Sequence, residues 1–268
     1  MLENLLTAIV DIARDAGQAI MEIYADPEMT VLSKADSSPL TRADLASDRV
    51  IAAGLEKLDQ GPVLSEESAA TDYAGRRNWQ RYWLVDPLDG TKEFVKRNGE
   101  FTVNIALIES GEPVLGVVYA PVLDVCYSAA RGLGAFVRRG TQEREAIRVK
   151  EHMPDEPLRV VASRSHSDAK TCALLEMLGK HETISMGSSL KLCLVAEGKA
   201  HLYPRLGPTM EWDTAAAHAI VKQAGGRVCD THGEELVYNK ADLHNPEFFV
   251  FSAKDQQLFG KIRSTATC

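Results

Sequence analysis

Hydrophobic residues near the N-terminus follow the spacing of amphipathic helices. From Leu2 to Ile23 apolar side chains recur every three or four positions, which predicts one apolar face on a helix that ends near Tyr24. A second helix is predicted after Pro39-Leu40-Thr41 and runs to about Leu58. We expect the first helix to pack against the body of the protein through its apolar face.

The middle of the chain alternates short apolar runs with turn residues, a pattern typical of a β-sheet. An apolar strand is predicted from residue 82 to 85, and residues 102–109 and 113–119 flank Ser110-Gly111-Glu112, which is a hairpin signal. Short strands near residues 125–129 and 135–137 continue the predicted sheet.

A polar, proline-containing stretch at residues 150–157 is followed by alternating strands and helices. The predicted elements are strands at 158–162, 183–186, 201–203 and 227–229, and helices near 169–178, from Ser189 to about Glu197, and after Asp213. The stretch predicts a boundary between an N-terminal α+β part, residues 1–155, and a C-terminal α/β part, residues 156–268.

Length and charge limit the class of protein. A chain of 268 residues can bury a large core, as one large domain or two medium ones, and 45% hydrophobic with 25% charged residues is typical of a soluble globular protein. The net charge of −8 repels other polyanions, which excludes non-specific binding to DNA or RNA.

Cysteine usage and hydropathy indicate a cytoplasmic protein. The five cysteines are scattered and lack Cys-x-x-Cys spacing, so neither a disulfide framework nor a zinc site is expected. No apolar run is long enough for a membrane span, and Asp11, Arg14 and Asp15 interrupt what would be the core of a signal peptide. Peripheral attachment to the cytoplasmic face of the inner membrane, through the first helix, is the alternative.

Two carboxylates follow the apolar strand at 82–85 and are the strongest chemical feature. Asp86 and Asp89 are separated by Pro87, which stiffens the turn so that the Leu88 carbonyl can point at the same place. Such hard oxygen donors suit Mg²⁺ together with a substrate phosphate. Gly90 and Thr91 then offer N–H groups and a hydroxyl to an anion. An acidic turn with a polar cap is the alternative interpretation of this segment.

Two further acidic features extend the predicted site. Glu66-Glu67 follows a short apolar run, and Asp213 begins an alanine-rich helical stretch. Taken alone, the first is typical of a solvated turn and the second of a helix N-cap. Taken together, Glu66, Asp86, Asp89 and Asp213 would suit two or three Mg²⁺ ions that share bridging carboxylates. Metal ions about 4 Å apart can stabilise both the attacking and the leaving oxygen of a displacement at phosphorus.

These motifs resemble a known family. The Glu-Glu pair, Asp86-Pro87-Leu88-Asp89-Gly90-Thr91 and Trp212-Asp213-Thr214-Ala215-Ala216 are similar, in order and spacing, to the three signatures of the inositol monophosphatase superfamily. Residues 34–44, which end in a threonine, a spacer and Asp44, match a fourth family segment. The resemblance covers essentially the whole chain. It implies Mg²⁺-dependent, lithium-sensitive phosphomonoesterase activity and a mixed α/β fold, a layered αβαβα sandwich with the active site between the two parts.

Within that superfamily the chain looks like the bacterial CysQ-type 3′(2′),5′-bisphosphate nucleotidases. The similarity is carried by residues 89–94, 98–105, 163–166, 187–191 and 202–205. It implies a small phosphorylated nucleotide as substrate. We expect the protein to act as a monomer or a homodimer.

The resemblance also implies the role of each site residue. Glu66, Asp86 and the Leu88 carbonyl would hold one ion, Asp86, Asp89 and Asp213 a second, and Glu66 a more weakly bound third. Asp44 and the Thr91 hydroxyl would position and deprotonate the attacking water. Without the resemblance, Asp44 would be interpreted as a surface residue favoured by the helix dipole, and Thr91 as a helix cap.

At the substrate end, Gly187 and Ser188 precede a predicted helix, and Lys191 and Arg205 add fixed positive charge. The resemblance implies substrate contacts from these four residues together with Glu66, Asp89, Gly90, Thr91 and Asp213. The alternatives are a helix cap for Ser188 and surface charges for Lys191 and Arg205. His166, in a polar loop, is expected to be structural.

The function expected from these residues is removal of the 3′-phosphate from 3′-phosphoadenosine 5′-phosphate (PAP), and from its sulfated precursor PAPS, by metal-activated water. The same chemistry on inositol monophosphate or a sugar bisphosphate is the nearest alternative. An aspartyl-phosphate mechanism fits poorly, because its two acids lie two residues apart and Asp86 and Asp89 lie three apart. A catalytically silent nucleotide-binding protein is the remaining alternative.

Overall fold

The structure is a computed structural model that describes residues 2–25, 31–33, 39–68, 72–163 and 169–266. His166 lies outside the described residues, as do residues 34–38 of the segment that precedes Asp44.

The N-terminal half of the chain begins with two helices and continues with strands. In chain order its elements are α1 Leu2–Tyr24, β1 Val31–Ser33, β2 Pro39–Thr41, α2 Arg42–Leu58, β3 Val63–Ser65, α3 Tyr73–Arg76, β4 Arg81–Asp89, α4 Thr91–Val95, β5 Thr102–Glu109, β6 Glu112–Ala120, β7 Val125–Ala130, β8 Gly134–Arg139 and β9 Glu145–Ile147. A single 3₁₀ turn, Glu66–Ser68, follows β3.

The C-terminal half alternates strands and helices. Its elements are β10 Leu158–Ser163, α5 Ala169–Leu178, β11 His181–Met186, α6 Leu190–Ala196, β12 Leu202–Arg205, α7 Glu211–Gln223, β13 Gly226–Asp230, β14 Phe248–Ser252 and α8 Gln256–Ala266.

The strands form two large mixed sheets. The first contains seven strands in the order β3-β4-β5-β6-β7-β8-β9, antiparallel except for the parallel pair β3 and β4. The second contains five strands in the order β11-β10-β12-β14-β13, of which the first three are parallel. A small antiparallel pair, β1 and β2, precedes α2.

Helices cover both faces of each large sheet. On one face of the seven-stranded sheet lie α1 and α2, between the two sheets lie α6 and α7, and α5 and α8 cover the outer face of the five-stranded sheet. The mixed α/β fold and the αβαβα layers implied by the resemblance are therefore confirmed. One buried cluster includes residues of both sheets, and the division at residue 155 remains a prediction.

Burial on both faces explains why β4 is a continuous apolar run. Tyr82 and Leu84 pack against the middle helix layer, whereas Trp83 and Val85 pack against α1 and α2. On β6, a Cβ atom built on Gly116 would lie 2.1 Å from the Ala216 carbonyl oxygen of α7. Only glycine allows α7 to pack this closely on the sheet.

Most predicted elements are confirmed, but some boundaries were wrong. The strand predicted to end at Val85 continues to Asp89, because its ladder with β5 resumes after an irregularity. The helix predicted after Asp213 already begins at Glu211, and β14 and α8 were not predicted. None of the helices in the described ranges is long and apolar enough to cross a bilayer.

A buried histidine makes stability depend on pH. His218 of α7 is 1% exposed and its Nδ1 lies 2.9 Å from the Tyr238 hydroxyl. Burial, and then the Lys222 ammonium, lower the pKa of His218 to about 3. The unfolded chain takes up this proton near pH 6.5, well above the folded chain. The contribution of neutral His218 is thus complete above about pH 6.5 and is lost as the pH falls towards 3.

We expect His218→Asn to reduce this dependence. Between pH 7 and pH 5 the parent should lose about 2 kcal/mol of unfolding free energy through His218, a loss that the variant avoids. Urea unfolding of both proteins at the two pH values measures the difference. His232→Asn, at an exposed position, is the control and should keep the parent's slope. Equal slopes for His218→Asn and the parent would contradict the assignment.

Candidate active site

A bulge in β4 places Asp86 and Asp89 on the same side of the sheet. Residues three apart on a regular strand face opposite sides. Here Asp86 pairs with Asn104 and Asp89 with Thr102, so two residues of β4 lie opposite one residue of β5. Because Asn104 and Thr102 are two apart, their partners share a face. Pro87, which has no N–H to donate, lies inside the bulge where the ladder is interrupted.

Neighbouring elements bring Glu66 and Asp44 to the same region. The parallel pairing of β3 with β4 sets Ser65 opposite Val85, so Glu66 emerges beside Asp86. Asp44 lies in the first turn of α2, as predicted, but only 4% of it is exposed. The interpretation of Asp44 as a surface residue is therefore wrong. The first turn of α2 packs against the end of β4 and buries the side chain.

Asp213 comes from the middle helix layer. The N-cap of α7 is Met210, and Asp213 is the third helical residue, whose Oδ2 accepts a hydrogen bond from the Met210 N–H at 2.9 Å. The N-cap interpretation of Asp213 is thus wrong by three positions. A carboxylate in the first turn is nevertheless stabilised by the helix dipole.

The acids perturb one another strongly. Burial raises the pKa of Asp86 well above its usual value, and Glu66, Asp89, Asp213 and Asp44, in that order, raise it further. Burial, and then Asp89, raise the pKa of Asp213 to about 8, against the stabilising bond from Met210. Several carboxylates therefore face one another across a small region between the sheets.

This donor set fits a divalent cation. Carboxylate oxygens are the hard ligands that Mg²⁺ prefers, and a cation would offset the mutual repulsion of the acids. Among the described residues, however, no three acidic, histidine or cysteine side chains already stand at metal-binding spacing. Asp89 is instead turned onto protein donors: its Oδ2 accepts bonds from the Ser189 N–H and Oγ, both at 2.6 Å.

Gly90 and Thr91 begin α4 directly after the acids. Gly90 is the N-cap and has φ 93°, a left-handed conformation that favours glycine, while Thr91 is the first helical residue. Thr91 is therefore not the cap of this helix, and the cap interpretation is wrong. Its role at the site stays a prediction.

A pocket of about 70 Å³ adjoins the acids and collects most predicted substrate residues. It is lined by residues from β4, the loop before α6, and the elements α6, β12 and α7, including Asp89, Ser188, Ser189, Lys191, Arg205 and Asp213. A larger cavity of about 360 Å³ lies near residues 152–158 and α8, and no predicted site residue lines it. Since a substrate must reach the carboxylates, the smaller pocket is the candidate site.

Lys191 is inside the protein rather than on its surface. It is 8% exposed, its Nζ donates to the Ser188 carbonyl at 2.5 Å and lies 5.8 Å from the centre of the Tyr203 ring. Burial lowers the pKa of Lys191, and Asp89 opposes this shift. Arg205 is half-buried and donates to the Pro208 carbonyl. Interpreting Lys191 as a surface charge is therefore wrong, whereas Arg205 is only partly covered.

The loop before α6 differs from the prediction in one residue. Ser189, rather than Ser188, is the N-cap of α6, and Ser188 has φ 45°. Ser189 is the residue that contacts Asp89, and its Oγ also lies 3.1 Å from the Thr102 Oγ1. The sequence offers two adjacent serines and no local signal that distinguishes them, so this contact was missed.

Known proteins resemble the chain over nearly its full length. The profile of the inositol monophosphatase family matches residues 1–265. A 3′(2′),5′-bisphosphate nucleotidase CysQ from Escherichia coli strain K12 is 55% identical over 249 residues, which is 92% of this chain and 99% of the relative. The CysQ of Buchnera aphidicola is 46% identical and covers 88% of each chain.

Solved structures agree with the sequence comparison. The crystal structure of CysQ from Bacteroides thetaiotaomicron superposes with a TM-score of 0.83 at 45% identity, over 94% of this chain and 98% of that chain. A Thermotoga maritima IMPase gives a TM-score of 0.79 at 26% identity, over 98% of each chain. The resemblance noted in the sequence is confirmed, and the chain belongs to the inositol monophosphatase family of metal-dependent phosphatases.

Proposed function

We propose that this protein is a Mg²⁺-dependent 3′(2′),5′-bisphosphate nucleotidase that converts PAP to AMP and phosphate, and accepts PAPS. One observation carries the proposal: a cluster of mutually perturbed carboxylates directly adjoins a pocket that contains the buried Lys191 and the half-buried Arg205. The acids can hold cations beside the scissile phosphate, and the two basic side chains can hold a second phosphate. Relatives at 55% and 46% identity are 3′(2′),5′-bisphosphate nucleotidases by name.

The proposed ligands are Glu66, Asp86, Asp89, Asp213 and the Leu88 carbonyl. They would supply the oxygen ligands of two or three Mg²⁺ ions, and Asp86 would serve more than one of them. Bound there, Mg²⁺ would lower the pKa of a water molecule, screen the phosphate oxygens and stabilise the leaving alkoxide.

Asp44 and Thr91 would orient and deprotonate the attacking water. The Thr91 hydroxyl, at the start of α4, accepts or donates one hydrogen bond that orients the water, and the Asp44 carboxylate takes its proton. The water oxygen would then bond to phosphorus as the bond from phosphorus to the ribose oxygen breaks, and the departing ribose oxygen would take up a proton from water to become the hydroxyl of AMP. Asp44 is buried at the start of α2, and its charge acts on the pKa of Asp86.

The 70 Å³ pocket beside the acids would select the substrate. Gly187 packs against the backbone that precedes β5, since a Cβ atom on Gly187 would lie 2.7 Å from the Glu100 carbonyl oxygen. This close approach holds the loop before α6 against the first sheet, where the Ser189 N–H and Oγ donate to Asp89. An inositol monophosphate has no second phosphate to occupy the basic side chains of the pocket, so the pocket favours a bisphosphate. A monomeric or homodimeric, cytoplasmic protein remains our expectation.

The direct test is phosphate release from PAP, inositol 1-phosphate and fructose 1,6-bisphosphate, each with Mg²⁺, with EDTA, and with Mg²⁺ plus lithium. We expect Mg²⁺-dependent, lithium-sensitive release from PAP in preference to the other two esters. Preference for either of the others would overturn the substrate assignment. No phosphate release from any of the three esters would favour a nucleotide-binding protein without catalytic activity.

Asp89→Asn should lower kcat for PAP by at least about 100-fold, because it removes a ligand charge without changing shape. The amide oxygen can still accept the bonds from Ser189, so the melting temperature in EDTA should stay close to that of the parent. Asp59→Asn, an exposed control with the same chemical change, should keep the parent's kcat. Near-normal turnover by Asp89→Asn would remove Asp89 from the metal site.

Lys191→Met should raise KM for PAP about 10- to 100-fold with a smaller effect on kcat, because it removes a charged donor to the second phosphate but keeps the volume of the side chain. Slow hydrolysis of inositol 1-phosphate, which lacks that phosphate, should change little. An equal loss on both esters would mean that Lys191 acts only by holding the Ser188 carbonyl.

A further inference from the structure

Helix α2 contacts two of the three segments that carry proposed metal ligands. The Ser47 Oγ donates a hydrogen bond to the Pro87 carbonyl oxygen at 2.7 Å, and Ser47 is fully buried. One residue later, Asp48 Oδ1 accepts a hydrogen bond from the Ser65 Oγ at 2.6 Å. The first bond reaches the bulge of β4, and the second reaches the end of β3.

These contacts come from the same face of the helix as Asp44. Positions 44, 47 and 48 are related by three and four residues, so their side chains are neighbours on the helix surface. The same face continues through Ile51 and Leu55, both buried in the core. Because this apolar continuation fixes the rotation of α2, the three polar groups have little freedom to move relative to the sheet.

Each bond restrains the peptide next to a ligand. Pro87 lies in the bulge, where the regular ladder does not restrain the backbone, and its carbonyl immediately precedes Leu88, whose own carbonyl is a proposed ligand. Ser65 immediately precedes Glu66, and its Oγ also accepts a bond from the Glu67 N–H at 3.3 Å. Ser65 thereby connects α2 to the 3₁₀ turn that begins at Glu66.

We propose that Ser47 and Asp48 are positioning residues of the metal site. They touch neither substrate nor metal; they act through the Pro87 carbonyl and the Ser65 hydroxyl, and so set the separation of the β3 and β4 segments around Asp44. This role rests on the ligands assigned in the proposed function. It makes α2 one rigid support for the proposed base and for two groups of ligands.

Calorimetric titration with Mg²⁺ alone, without substrate, tests the proposal on the intact protein. Ser47→Ala and Asp48→Ala should each bind Mg²⁺ about tenfold more weakly than the parent, the size of effect usual for residues that orient metal ligands. Asp48→Asn keeps an oxygen acceptor for Ser65 and should bind more tightly than Asp48→Ala. Equal weakening by Asn and Ala would mean that only the charge of Asp48 matters, which would overturn its positioning role.

Glu56→Ala is the matched control, because it removes an acid from an exposed position on the same helix and should keep the parent's affinity. Melting temperatures in EDTA separate a loss of fold from a loss of metal affinity. Unchanged affinity in both alanine variants, with normal binding by the parent, would overturn the positioning roles alone. A parent that binds no Mg²⁺ would overturn the metal site and these roles with it.

Discussion

Repulsion among buried carboxylates is the constraint on which this structure depends. Removing a single charge from water costs on the order of several kcal/mol, and here Asp86 is buried facing four other acids. A fold can carry such a group only if the surrounding elements hold it in place. The bulge in β4, the first turn of α7 and the hydroxyls of Ser47 and Ser189 each bind or restrain one part of the cluster.

Close backbone contacts explain how two sheets can share one site. Gly116 lets α7 lie directly on β6, so the first turn of α7 delivers Asp213 towards Asp89. Gly187 lets the loop before α6 touch the Glu100 backbone, so that Ser189 reaches the same carboxylate. The acids of the first sheet and the basic pocket of the second are therefore held together by contacts that any larger side chain would separate.

The sequence indicated which residues belong to the candidate site, but not how those residues are arranged in space. The acids of Asp86-Pro87-Leu88-Asp89 could be found because a strand, a proline and two carboxylates are adjacent in the chain. The bulge could not be found, because it is defined by pairing with Asn104 and Thr102. Burial of Asp44 depends on how α2 docks against β4, and the contact of Ser189 with Asp89 joins residues 100 positions apart. The layer order followed only from the family resemblance, since alternating strands and helices are compatible with several sandwiches.

The arrangement also explains why the acids and bases of the site come from different parts of the chain. A cluster that binds cations must be strongly negative, whereas a pocket for a second phosphate must be positive, and side by side on one flexible segment they would pair with each other. Here the rigid β4 bulge carries Asp89, and the Ser189 donors occupy its Oδ2 at 2.6 Å, while Lys191 is held by the Ser188 carbonyl at 2.5 Å. Each of these two charges is thus held by a neutral group of the protein, while the attraction between Asp89 and Lys191 opposes the lowering of the Lys191 pKa by burial. Neutral hydrogen-bonding groups placed between opposite charges would in this way let one small pocket serve both the proposed metal ions and the proposed dianionic ester.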